Sequence, residues 1–78
     1  MVHELKILPQ YFKEVRAGNK TFEIRENDRD FKVGDTLILK EWDGEFYTGK
    51  FERVEVRYIL QDERYLQKGY CTMAIAKV

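Results

Sequence analysis

The spacing of apolar residues changes period along this chain, and each change marks an element. Val2–Leu8 alternates, with His3, Leu5 and Ile7 on one side and Glu4, Lys6 and Leu8 on the other. A period of two predicts a strand with the first set turned inward. Pro9 then fits the first position of a helix, since it has no N–H to lose. Tyr11, Phe12 and Val15 follow at i, i+1 and i+4, one apolar stripe on a short helix. Gly18 suits the residue just past the end of that helix, and Arg16 lies near its negative pole.

Alternation returns in Lys20–Asn27, where the pattern predicts Phe22 and Ile24 inside and Thr21, Glu23 and Arg25 on the opposite face. A turn-rich connector follows, and Gly34-Asp35 marks a sharp turn into a strand over Thr36–Trp42. The stretch DGEFYTGKF reads as a hairpin connection with two glycines. In Phe51–Leu60, Val54, Val56, Tyr58 and Leu60 alternate with Arg53, Glu55, Arg57 and Ile59, which predicts a further strand. QDERYLQKGY is a polar excursion, and Tyr70–Val78 closes the chain as a strand rich in small residues. The order is β, α, β, β, β, loop, β. It predicts a mostly β (α+β) single domain over residues 1–78. The architecture expected is a small closed or half-open β-barrel of about five to six strands, with one short helix after the first strand. Closure of that kind also removes exposed strand edges.

Composition narrows the class. A chain of 78 residues supports one core, burying roughly 60% of its unfolded surface. Charged residues make up 36%, but the net charge is zero, and five Phe, five Tyr and one Trp argue for a packed interior. Zero net charge speaks against a strongly basic nucleic-acid binder and confines any phosphate binding to a local patch or pocket. Cys71 is the one cysteine, so no disulfide can form within the chain, which fits a reducing, cytoplasmic setting. No CxxC or Cys/His cluster is present, so neither a metal nor another cofactor is expected. The opening MVHELKILPQ carries charges and no long apolar run, unlike a signal peptide or a membrane span.

The candidate chemistry lies in KTFEIRENDRDFKVGD, from Lys20 to Asp35. Glu23 and Arg25 share a strand face, roughly 7 Å apart along the chain. Their pairing would hold a guanidinium in a fixed plane, ready to fork onto a phosphate, a carboxylate or a base edge. The same spacing also suits a solvated ion pair. Arg29 sits either over the cleft as a second cation or in a loop as a solubilising charge. His3 shares its face with Leu5 and Ile7, where a polar ring needs a hydrogen-bonding partner. Tyr70 either closes one edge of the cleft or packs in the core. Trp42 and Tyr47 flank the hairpin beside Lys40 and Lys50, where aromatics serve either packing or base stacking. Cys71 reads as a buried structural thiol.

The succession AGNKTFEIR then FKVGDTLIL is where the chain resembles a known group. A helix ending in Gly, Lys-Thr-x-x-x-Arg on a strand, and a V-G-D turn into an apolar strand resemble the ASCH domains of the PUA-like superfamily. HELKILPQYFKEV and EIRENDRDF resemble more closely still a small bacterial and phage branch of that group, one without an assigned function. The resemblance covers nearly the whole chain. It implies a β-barrel with a helix beside it and a cleft between them holding the charged face of KTFEIR. The wider group is generally taken to bind RNA, and some relatives are acetylcytidine amidohydrolases. Their Lys-Thr-x-Thr-x-Arg matches Lys20, Thr21 and Arg25, but the second Thr, the nucleophile, is Glu23 here. A carboxylate there can still act as a general base on water, which weakens the amidohydrolase expectation without removing it.

Three functions remain open. One is a domain that binds RNA or a modified nucleotide through Lys20, Thr21, Glu23, Arg25, Arg29, His3 and Tyr70. Another is a small hydrolase of a modified nucleoside using Lys20, Glu23 and Arg25. The last is a protein-interaction domain whose cleft takes an acidic peptide. No membrane partner is expected.

Overall fold

A computed structural model describes residues 1–78. Five strands and one helix follow in the order β1 (Val2–Ile7), α1 (Pro9–Ala17), β2 (Phe22–Glu26), β3 (Thr36–Trp42), β4 (Tyr47–Leu60) and β5 (Tyr70–Lys77). The sheet runs β1-β3-β4-β5-β2, with β1 parallel to β3 and the other neighbours antiparallel. It curls into a half-barrel, so β1 and β2 become the two free edges. The helix lies against β3 and β4 on the side that carries the core. No helix is long and apolar enough to cross a membrane.

Helix α1 starts on Pro9 and stops where the sequence predicts. Gly18 takes the left-handed conformation at φ 84°, and the amides of Asn19 and Lys20 both donate to the Glu14 carbonyl. Such a stop costs a glycine little and a residue with a Cβ more. Phe12 and Val15 are buried, whereas Tyr11 is half exposed, so the apolar stripe is narrower than its spacing suggests.

The inward set of β1 is His3, Leu5 and Ile7, as the alternation predicts. The inward set of β2 is the reverse of the prediction. Phe22 and Ile24 are 44% and 52% exposed, and Glu23 is 4% exposed. The partner strand decides this phase. Glu23 stands opposite Met73 and Arg25 opposite Cys71, while Phe22 and Ile24 stand opposite Ala74 and Thr72. Residues directly opposite across a ladder share a face, and Cys71, Met73 and Ile75 are committed to the core. The acid of β2 therefore points inward with them.

Strand β4 is longer than predicted, since the hairpin turn needs only the residues from Asp43 to Phe46. Asp43 accepts from the amides of Glu45 and Phe46 at 2.9 and 2.8 Å and closes the turn. A register shift between Val56 and Tyr58 then reverses the alternation of β4. Val54 and Val56 are buried, but beyond the bulge Ile59 packs on the core while Tyr58 and Leu60 are exposed. One extra residue is enough for that reversal, because the side-chain period is two.

Candidate functional site

A cavity of about 660 Å³ opens between α1, the end of β1 and β2. Its walls are largely apolar, with Leu8, Tyr11, Phe22 and Ile24 prominent, and it holds Lys20, Glu23 and Arg25. Volumes of this order suit a small organic ligand. The outward turn of Phe22 and Ile24 is what makes these walls, so the residues predicted for the core line the cavity instead.

The polar centre is Glu23. One carboxylate oxygen accepts from Lys20 Nζ, and the other accepts from Arg25 Nε at 2.8 Å. Lys20 also donates to the Phe22 carbonyl at 2.7 Å and lies 4.9 Å from the Phe22 ring centre. The buried charge is thus paired at both oxygens, as a carboxylate away from water must be. Each oxygen still has a lone pair for an incoming N–H. At the helix side Asn19 Nδ2 donates to Glu14 Oε1 at 3.1 Å, which adds an amide and a second acid to the rim. Sequence reasoning missed Tyr11, Glu14 and Asn19. They lie on the helix and its cap, and only the docking of α1 brings them over β2.

Arg25 and Arg29 also close the gap between the sheet edges. Arg25 donates to the Lys6 carbonyl, and Arg29 Nη1 donates to the Glu4 carbonyl at 2.7 Å. Carbonyls two residues apart on a strand point the same way, here away from β3 and across the seam. The half-barrel is therefore bridged by guanidinium groups where a backbone ladder is missing. Arg29 lines a smaller hollow of about 150 Å³ with Arg25 and Phe31, next to the main cavity.

The other candidates lie elsewhere. His3 Nε2 and Asp35 Oδ2 are 2.9 Å apart in the interior, and the imidazole meets the Phe31 ring at 4.8 Å between centres. Burial acts to raise the Asp35 carboxyl, but hydrogen bonds from His3, the Lys32 amide and the first amino group outweigh it and hold the group at about 2. His3 thus has a core partner and does not line the cavity. Thr21 is exposed and contributes its carbonyl, which accepts from the Ile75 amide at 3.0 Å. Tyr70 begins β5 and also lies outside the cavity lining. Cys71 is fully buried, and desolvation raises its thiol. No three His, Cys, Asp or Glu side chains gather as a metal-binding group.

Comparison with known proteins gives the family. Residues 2–75 match the profile described as Domain of unknown function (DUF3850), and the chain belongs to that family. It is 45% identical over 56 residues to an uncharacterized 12.9 kDa protein in the GpA 3' region of Escherichia phage P2. That match covers 72% of this chain and 50% of the phage protein, so the chain spans about half the length of that relative. Its fold is similar to the crystal structure of hypothetical protein PH0355, with a TM-score of 0.70, 17% identity and full coverage of both chains.

Proposed function

We propose that this member of the DUF3850 family is a PUA-like, ASCH-type binding domain that takes a base of RNA or a modified nucleotide into the cavity beside Glu23. The carrying observation is a carboxylate only 4% exposed, set in the wall of a cavity of about 660 Å³ with Tyr11, Phe22 and Ile24 around it. Aromatic and apolar walls suit a flat ring, and a fixed carboxylate accepts from an exocyclic amino or ring N–H group. Lys20 and Arg25 offset the acid and supply donors toward phosphate or carbonyl oxygens. This supports a local grip on one nucleotide in a protein whose overall charge is zero.

Calorimetry or amide-shift titration with a panel of nucleosides and nucleoside monophosphates tests the reading. Saturable shifts at Tyr11, Phe22 and Ile24 are expected, and the Glu23→Gln variant should lose roughly tenfold or more in affinity, as loss of a charged hydrogen-bond partner does. An absence of shifts with every member of the panel and with short RNAs removes the reading.

One observation favours a catalytic variant of the same site: Glu23 and Arg25 both line the cavity, so an acid and a guanidinium can face one bound ligand. In that reading Glu23 activates water on a modified nucleoside and Arg25 steadies the developing oxyanion. Mass analysis of the same panel after incubation separates turnover from binding, and turnover that survives Glu23→Ala removes this role.

A further inference from the structure

The convex face of the sheet carries features that the core does not use, and of them only Lys6 reaches the cavity. Lys6, Lys40 and Phe51 form one row across β1, β3 and β4, and Trp42 stands opposite Tyr47 in the next row toward the hairpin. Arg53 lies beyond Phe51 on the same side of β4, opposite Ile38. Lys6 Nζ sits 4.6 Å from the Trp42 ring centre, and Lys40 Nζ sits 4.6 Å from that of Tyr47. Phe51 is 53% exposed and Tyr47 is 49% exposed, and they stand on either side of the register shift at the hairpin end of the β3–β4 ladder. Lys40 also meets Glu4 at 3.2 Å, the one acid in this group.

We infer that this face is a track for single-stranded nucleic acid, carrying the nucleotides that flank the one held in the cavity. The inference rests on the nucleotide reading of the cavity and extends it from a mononucleotide to a strand. Lys6 makes the surfaces continuous, because it lines the cavity and also lies over Trp42. Exposed rings on a sheet offer flat platforms for unpaired bases, and the ammonium groups beside them complement phosphates. Lys6, Lys40 and Arg53 against Glu4 give this corner of the face a positive local balance that the whole chain lacks, and Glu55, next on the same side of β4, is paired with Arg57 at 3.1 Å. A duplex hides its base faces and therefore fits this surface less well than a single strand.

The test compares a mixed-sequence octamer, as RNA and as DNA, with its duplex and with the four nucleoside monophosphates, by fluorescence anisotropy or calorimetry at two salt concentrations. Either single-stranded octamer should bind more tightly than any monophosphate and more tightly than the duplex. Phe51→Ala and Tyr47→Ala should each weaken octamer binding by roughly fivefold to a hundredfold and leave monophosphate binding unchanged. Tyr47→Phe keeps the ring and should keep the affinity, which separates stacking from loss of fold, and circular dichroism checks each variant. An octamer that binds no better than a monophosphate or the duplex overturns the track, as does octamer affinity indifferent to both alanine variants. In those cases monophosphate binding leaves the cavity reading standing. Octamer binding that depends on Tyr47 and Phe51, without any monophosphate binding, keeps the track and removes the cavity reading. If neither octamer nor monophosphate binds, both fall.

Discussion

Arg25 Nε donates to Glu23 Oε2 at 2.8 Å, and the same guanidinium reaches the Lys6 carbonyl on the opposite edge of the sheet. One side chain therefore positions the acid of the cavity and ties β2 to β1. Site geometry and closure of the half-barrel are joined through it. A lysine is a poor replacement, because its single nitrogen lacks the planar fork whose separate Nε and Nη2 reach acceptors on the two edges at once.

Removing the acid should destabilise the protein. Glu23→Ala leaves Lys20 and Arg25 without their partner, and a loss of about 2 kcal/mol or more is expected. Glu23→Gln keeps the shape and one acceptor and should cost less. Urea midpoints of the two variants check the order.

The seam makes a separate prediction. Arg29→Ala frees the Glu4 carbonyl at an exposed edge and should cost about 0.5–1 kcal/mol. Arg25→Lys should cost more, since it loosens Glu23 and the Lys6 carbonyl together. Hydrogen exchange should quicken in β1 and β2 in both variants, and unchanged protection there contradicts the bridging role.

Acid should weaken the fold through Asp35. Its folded value of about 2 lies below the ordinary 3.8, so the unfolded chain binds the proton more readily. This contribution is complete above about pH 4 and is lost as pH falls toward about 2. Asp35→Asn should lower stability near neutral pH by roughly 1–3 kcal/mol and flatten this part of the pH profile. Thermal midpoints between pH 2 and pH 6 measure both effects.

Cys71 reports opening of the core. Burial raises its thiol and leaves it no surface, so a thiol reagent at pH 8 should react slowly with the native protein and promptly in urea. Fast labelling without denaturant contradicts the packing of β5 between β4 and β2.

Local pattern was enough to locate every element. Pro9 and Gly18 bound the helix, and the period of two in VHELKI places His3, Leu5 and Ile7 inside. The pairing of Glu23 with Arg25 was also legible, since i and i+2 on a strand share a face. The cavity was not. Tyr11, Phe22 and Ile24 look like core residues by polarity, yet they form its walls.

The amino-acid sequence by itself determined which elements form, in what order, and where the helix starts and stops, because propensity, Pro, Gly and alternation act within a few residues of chain; the start of β4 at Tyr47 was set by its pairing with β3. Tertiary structure alone decided which side of β2 is inside, where the phase of β4 reverses, and how the edges β1 and β2 are joined. Alternation states that a strand has two unlike faces. The partner across the ladder selects the buried one, and for β2 that partner is β5, nearly fifty residues away in the chain. Its Cys71 and Met73 hold the core face so firmly that Glu23 is drawn in with them, and two nearby cations make its burial tolerable.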